Sequence, residues 1–175
     1  MTPQTPFSSM AKLIILRGNS GSGKSTVATA LQKRYGRNTM CISQDVVRRD
    51  VLYVKDGEGS LCIPLLCELL KYGHDHSEVT ILEGILDNIY YGEVFETANT
   101  LFGNKIYAYY FDLSFEETVR RHNTRAKRAE FTEEDMQRWW IGRDIADLLE
   151  EKIITAEESE EEIIERIMHD TGDLP

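Results

Sequence analysis

Short apolar runs alternate along this chain with segments whose apolar positions recur three and four residues apart. KLIILR at 12–17 is apolar without polar alternation, the pattern of a strand buried on both faces. KSTVATALQKRY at 24–35 has helical spacing. TMCIS at 39–43 predicts a second strand, and QDVVRRDVLYV at 44–54 the start of a helix. After a polar, glycine-containing loop at 55–60, SLCIPLLCELLKYG at 60–73 predicts a helix with Gly73 as its C-cap, its Pro64 weakening the helix or marking a turn. EVTILEG at 78–84 predicts a strand, 90–103 a helix and KIYAYYFD at 105–112 another strand. Ser114 and Glu117 have capping-box spacing ahead of a helix over 114–128, and Thr132 and Asp135 repeat it ahead of 132–140. KIIT at 152–155 predicts a last strand and 159–170 a last helix. Strands alternating with helices predict an α/β fold with a parallel sheet and right-handed crossovers.

The first strand-to-helix turn carries Gly18-x-x-x-x-Gly23-Lys24-Ser25, the Walker A or P-loop spacing. Its glycines let backbone N–H groups turn inward around an anion, and the following helix aims its positive end at the same point. Residues Gly18, Asn19, Ser20, Gly21, Ser22, Gly23, Lys24, Ser25 and Thr26 are therefore the expected ATP-binding set. Lys24, expected to stand exposed over an empty loop, would reach the β- and γ-phosphates, and the Ser25 hydroxyl would ligate Mg²⁺.

In open α/β sheets, ligands sit at the carboxyl ends of the strands. Asp45 follows the second strand and would face the P-loop ligand, as a base for an attacking hydroxyl or a Mg²⁺ ligand through water. Arg48, one helical turn on, would hold the acceptor. The alternative is a plain helix start, with Asp45 as N-cap and Arg48 or Arg49 as a surface pair. Glu83 ends a Walker B-like strand and would contact the acceptor or orient the Mg²⁺ shell, with Asp87 the weaker choice. Arg121, Arg125 and Arg128 share one face of a basic helix, which predicts a lid over about 114–144 that stabilises the transferring phosphoryl group. Of these, Arg121 and Arg125 are the expected catalytic arginines. Trp139 and Trp140 fit packing better than base stacking, and His122 fits packing better than substrate contact.

Charge narrows the partners. The 175 residues carry a net charge of −10, and residues 130–175 hold 16 acidic against 4 basic side chains. That acidic C-terminal stretch reads as a solvated face and argues against broad nucleic-acid binding, though not against one phosphorylated or hydroxyl end. No apolar run is long enough to span a membrane, and the N-terminus lacks signal-peptide character. Residues 1–10 read as a leader before one domain over 11–175. Cys41, Cys62 and Cys67 have no metal-ligand spacing and read as buried free thiols of a cytoplasmic protein.

GNSGSGKST, the ISQD-x-x-R strand end, ILEG and an arginine-bearing helix after FDLSFEET occur here in that order, and the chain resembles a small P-loop kinase. The Asp-x-x-Arg pair is similar to that of polynucleotide 5′-kinases, zeta toxins and chloramphenicol phosphotransferase-like proteins, and ISQD and ILEGIL also resemble uridine kinases. The resemblance implies that Asp45 is the general base and that Arg48 contacts substrate. It further implies a three-layer, adenylate kinase-like fold with a five-stranded parallel sheet in order 2-3-1-4-5. The expected activity is ATP-dependent transfer of the γ-phosphoryl group to a hydroxyl of a small metabolite or nucleoside-like acceptor. The alternatives are a polynucleotide 5′-kinase, a zeta-toxin-like nucleotide-sugar kinase, or a module that binds ATP and transfers nothing.

Overall fold

The computed structural model describes residues 10–124 and 131–174. Its five strands are β1 (Lys12–Gly18), β2 (Thr39–Ser43), β3 (Val79–Gly84), β4 (Ile106–Phe111) and β5 (Lys152–Ile154). They form one sheet in the order β2-β3-β1-β4-β5, and every pairing is parallel. This is the expected 2-3-1-4-5 order. The non-alternating apolar pattern of β1 has its cause here, because helices cover both faces of the sheet. Leu13 and Ile15 point into one core with α3 (Cys62–His76) and α4 (Gly92–Phe102). Ile14 and Leu16 point into the other, with α1 (Lys24–Tyr35) and α7 (Glu160–Asp170).

α3 departs from the expectation. It runs to His76, so Gly73 does not cap it. Gly73 is buried inside the helix, where a Cβ would stand 2.4 Å from Thr80 Oγ1 on β3. Its role is close helix–sheet approach. Pro64 sits in the first turn of α3, where its missing N–H costs nothing.

Both candidate caps hold, one only in part. Thr132 and Asp135 make the full capping box of α6 (Glu133–Trp139). Ser114 caps α5 (Phe115–Asn123), but the Glu117 carboxylate turns away to Arg120 and Arg121. Those two arginines hold the Glu117 carboxyl down at about 2, far below the usual carboxylate range. The helix expected to reach residue 128 is described only to Asn123. Arg125, Arg128 and residues 1–9 lie outside the described residues.

The three cysteines are free. Cys62 and Cys67 are buried, whereas Cys41 is only half-buried. Burial pushes the Cys41 and Cys62 thiols up to about 11, which removes them as nucleophiles near neutral pH. Among the described residues no helix is long and apolar enough to cross a membrane.

Candidate active site

A cleft of about 850 Å³ opens at the carboxyl ends of the strands. Its phosphate end is one continuous stretch. Gly18, Gly21 and Gly23 all have left-handed backbone, with φ of 139°, 80° and 109°. A Cβ on Gly18 would stand 2.8 Å from the Phe111 carbonyl oxygen, and one on Gly21 2.7 Å from that of Thr118. Only a bare backbone can follow this path. α1 then begins with no side-chain cap and no acid in its first turn, and its positive end lies at the cleft.

Lys24 corrects one expectation. Far from standing exposed, it is 6% accessible, and its ammonium donates to the Asn19 carbonyl at 2.7 Å and to Ser22 Oγ at 3.2 Å. The loop holds its own cation where phosphate oxygens would arrive. Asn19 also turns out to be a structural clasp. Its amide donates to the Ile141 carbonyl at 2.7 Å, while its oxygen accepts the Ile141 N–H at 2.9 Å.

Parallel register brings the acids in. Glu83 pairs with Leu16 on one side and Ser43 on the other, so β2, β3 and β1 end side by side. Glu83 is buried, and its Oε2 accepts from the Ser25 hydroxyl at 3.1 Å. Two residues beyond Ser43, Asp45 enters the cleft half-exposed. The N-cap position belongs to Ser43, so Asp45 is not the cap. Arg48 and Arg49 both meet its Oδ1, at 2.9 and 3.1 Å. α2 (Gln44–Val46) passes directly into a π-helical turn, Val47–Val51. Such wider turns concentrate at functional sites, and this one carries both arginines.

The third wall is β3's exit and the segment after α6. Arg17, at the end of β1, is fully buried. It donates twice to the Leu86 carbonyl, at 3.0 and 2.9 Å, and pairs with Glu151 at 2.8 Å and Asp144 at 2.6 Å. Leu86 is itself strained, at φ 47° with its side chain buried. Asp144 also accepts the Asn88 N–H. Arg17 thus clamps the cleft-lining loop at 84–90 to the segment at 141–151. Two of the C-terminal acids expected on a solvated face are in fact partners of a buried cation. Sequence reasoning missed this cluster, although an arginine at the end of a strand buried on both faces is a legible signal.

The residues expected to form a lid divide. His122, Phe131, Asp135 and Trp139 line the cleft, but Arg121 does not. Its guanidinium is spent on Glu117, the Ser22 carbonyl and the Ala156 carbonyl. To touch a transferring phosphoryl group it must give up those bonds. His122 is packed, stacked on the Phe131 ring at 4.3 Å with Nε2 3.0 Å from the Phe131 carbonyl. The Arg49 guanidinium lies over the Trp139 ring at 5.4 Å and joins α6 to the Asp45 wall. Trp140 packs edge-on against Phe115.

The AAA domain family model matches residues 13–140, which span β1, the P-loop, the Asp45 wall, Glu83 and most of the segment expected to form a lid. The chain belongs to the AAA domain family. Solved structures share the whole architecture of this AAA domain at low identity. A gluconokinase from Sinorhizobium meliloti 1021 is 17% identical, covers 93% of each chain and has a TM-score of 0.67. The tunicamycin resistance protein of Deinococcus radiodurans is 17% identical, with 94% of this chain and 97% of that one covered and a TM-score of 0.63. The Mycobacterium tuberculosis APS kinase CysC, solved with AMPPNP and APS, is 16% identical, with 91% and 96% covered and a TM-score of 0.64. No curated protein matches the sequence.

No group of three or more His, Cys, Asp or Glu side chains that could hold a metal ion occurs among the described residues of this AAA domain. Mg²⁺ does not need them, because it commonly takes one or two protein oxygens and fills its shell with phosphates and water. The Ser25 hydroxyl against the buried Glu83 carboxylate fits that minimal donor set.

Proposed function

We propose that this chain is an ATP-dependent kinase that moves the γ-phosphoryl group to a hydroxyl of a small acceptor. The observation that carries the reading is one shared cleft. Gly21, Gly23, Lys24 and Ser25 line it together with Asp45 and Arg48. A module that only bound ATP would need no carboxylate–arginine pair in the same cleft as its P-loop. The likeness to solved structures described as gluconokinase and APS kinase supports the same reading.

The P-loop amides and the bare start of α1 receive the β- and γ-phosphates. Lys24 exchanges the Asn19 carbonyl and Ser22 hydroxyl for phosphate oxygens. Ser25 and Glu83 would hold Mg²⁺, which when bound neutralises phosphate charge. Asp45 accepts the acceptor's hydroxyl proton. The freed oxygen forms a bond to the γ-phosphorus as the bond to the β-phosphate bridging oxygen breaks, leaving ADP. Arg48 and Arg49 hold Asp45 through Oδ1 and leave Oδ2 to meet that hydroxyl. Arg48 lines the acceptor side beside it.

The test is Asp45→Asn, with ATP consumption followed with and without candidate acceptors and ATP affinity measured by titration. Loss of a general base slows transfer by about 10²- to 10⁴-fold and leaves nucleotide affinity intact. A collapse of ATP affinity with a normal saturated rate makes Asp45 a nucleotide or Mg²⁺ ligand instead. No change in either removes it from the chemistry, and Glu83 or Asp87 becomes the base.

A further inference from the structure

The acceptor end holds a second carboxylate that the mechanism above does not use. Asp56 stands in the loop between the π-helical turn and α3, and it lines the cleft with its side chain 42% exposed. A loop aspartate so open to water is ordinarily mobile and holds nothing. Here two buried neutral side chains converge on it. Tyr91, fully buried, donates to Asp56 Oδ1 at 2.6 Å. Gln44, 2% accessible, donates to Oδ2 at 3.2 Å and to the Tyr91 hydroxyl at 2.8 Å. The Gly57 N–H adds a third donor on Oδ1, at 2.9 Å. Burial and the Asp56 charge both push the Tyr91 phenol up, so it stays a proton donor at any physiological pH.

The fold makes room for this arrangement. A Cβ on Gly84 would stand 2.7 Å from the Gln44 Cβ, so any larger residue at the end of β3 would displace the glutamine. The lone-pair count then decides what Asp56 can do. Oδ1 carries two good hydrogen bonds and is filled. Oδ2 carries one long bond and keeps capacity on the cleft side. Beside it, the Arg48 Nε–H is buried without a hydrogen-bond partner among the described residues, and Oδ2 at 3.9 Å is too far to serve. An oxygen seated between them would accept from Nε and donate to Oδ2. A hydroxyl does both.

Resting on the kinase reading, we propose that Asp56 is a specificity-determining residue that binds a second hydroxyl of the acceptor, and that the acceptor is therefore polyhydroxylated, as a sugar, a polyol or a nucleoside ribose is. One hydroxyl meets Asp45 and reacts. Another meets Asp56 and Arg48 and sets the register of the first.

The experiment titrates the full chain, loaded with AMPPNP, with neutral sugars, cyclitols and nucleosides and with their singly deoxygenated analogues. Binding is read by calorimetry, and ATP consumption is read in parallel with ATP. The expected result is a polyhydroxylated compound that binds, with one deoxy analogue about 10- to 100-fold weaker, the loss typical of a hydrogen bond to a charged group. Asp56→Asn should weaken the parent compound to the level of that analogue and leave the analogue itself unchanged. Tyr91→Phe, which removes one anchor and keeps the carboxylate, should fall between. A purely structural role would weaken parent and analogue alike, and that result overturns the proposal. So does a best acceptor with a single hydroxyl, or binding by no member of the panel. If a polyhydroxylated compound binds through Asp56 but no ATP is consumed, the kinase reading fails and the Asp56 site stands. If monohydroxylic compounds are phosphorylated with Asp56 irrelevant, the kinase reading stands and this one fails.

Discussion

The two ends of the cleft are built by different rules. The phosphate end is a single run, residues 18–25, whose lysine is held by its own loop. The rest of the cleft, where we propose the acceptor binds, is lined by residues scattered over several separated segments, among them 44–49, 55–57 and 83–90. Its shape depends on contacts that never enter the cleft, above all the buried Arg17 cluster. The lysine's partners lie within the run itself, although Asn19, Ser22 and Ser25 also reach Ile141, Arg121 and Glu83. A wall made of several segments is only as good as the clamps behind it.

The sharpest attempt to break the comparison is Lys24→Ala. If the phosphate end is self-contained, this change abolishes ATP turnover while the acceptor end keeps its form. The lost ammonium leaves the Asn19 carbonyl and Ser22 hydroxyl without that donor, a cost of about 1–3 kcal/mol in stability, which the chain should survive folded. Turnover is checked by ADP release, and folding by circular dichroism. Normal turnover in the folded variant would remove the P-loop assignment.

Arg17→Met attacks the other end from behind. It leaves Glu151, which is fully buried, with no cation, and breaking a buried pair from one side costs about 3–5 kcal/mol. Denaturant unfolding measures that loss. Arg17→Met combined with Glu151→Leu should recover much of it, because no charge then stays buried. The functional readout is asymmetric. Acceptor KM should rise as the loop at 84–90 loosens, while ATP affinity holds. Equal damage to both ends would show that the two are not independently built.

Legibility in the sequence followed the same division. The P-loop could be read residue by residue because its chemistry depends on spacing alone. The strand order came from resemblance, and Asp45 and Glu83 could be placed because strand ends converge in a parallel sheet. Asp56, Gln44, Tyr91 and Arg17 could not be assigned from spacing. Tyr91 and Asp56 are 35 residues apart, and Arg17 and Glu151 are 134 apart, so only the fold brings them together. The acidic C-terminal stretch misled for a related reason. Its composition says solvated, and most of it is, but a net charge cannot tell which acids turn inward. Gly73 misled because a glycine near the end of an apolar run signals a cap, whereas helix–sheet approach leaves no local mark.

Asn19→Ala probes the seam between the two ends. The side chain belongs to the P-loop, yet both its bonds go to the Ile141 backbone just after α6. Two lost hydrogen bonds at roughly 1 kcal/mol each should lower stability by about 2 kcal/mol. In a self-contained phosphate end ATP affinity changes little and the lid side weakens. A fall in ATP affinity larger than the rise in acceptor KM would reassign Asn19 to the nucleotide.

The smallest expected effect belongs to Trp139. Its ring carries the Arg49 guanidinium at 5.4 Å, and Arg49 also meets Asp45 Oδ1 at 3.1 Å, so one arginine ties α6 to the acceptor wall. Trp139 is 37% accessible, and a cation–π contact this open contributes about 0.5–1 kcal/mol. Trp139→Leu should therefore raise acceptor KM by roughly two- to fivefold, the equivalent of that energy, with kcat and ATP affinity within error. The lost ring is also a reporter. In Trp140→Phe the emission comes from Trp139 alone, and an acceptor that draws Arg49 toward Asp45 should change it, whereas ATP by itself should not. If ATP alone moves the Trp139 signal as far as the acceptor does, the lid answers to the phosphate end. The acceptor wall would then be closed from the nucleotide side, and the division drawn between the two ends would have to move to the far side of Arg49.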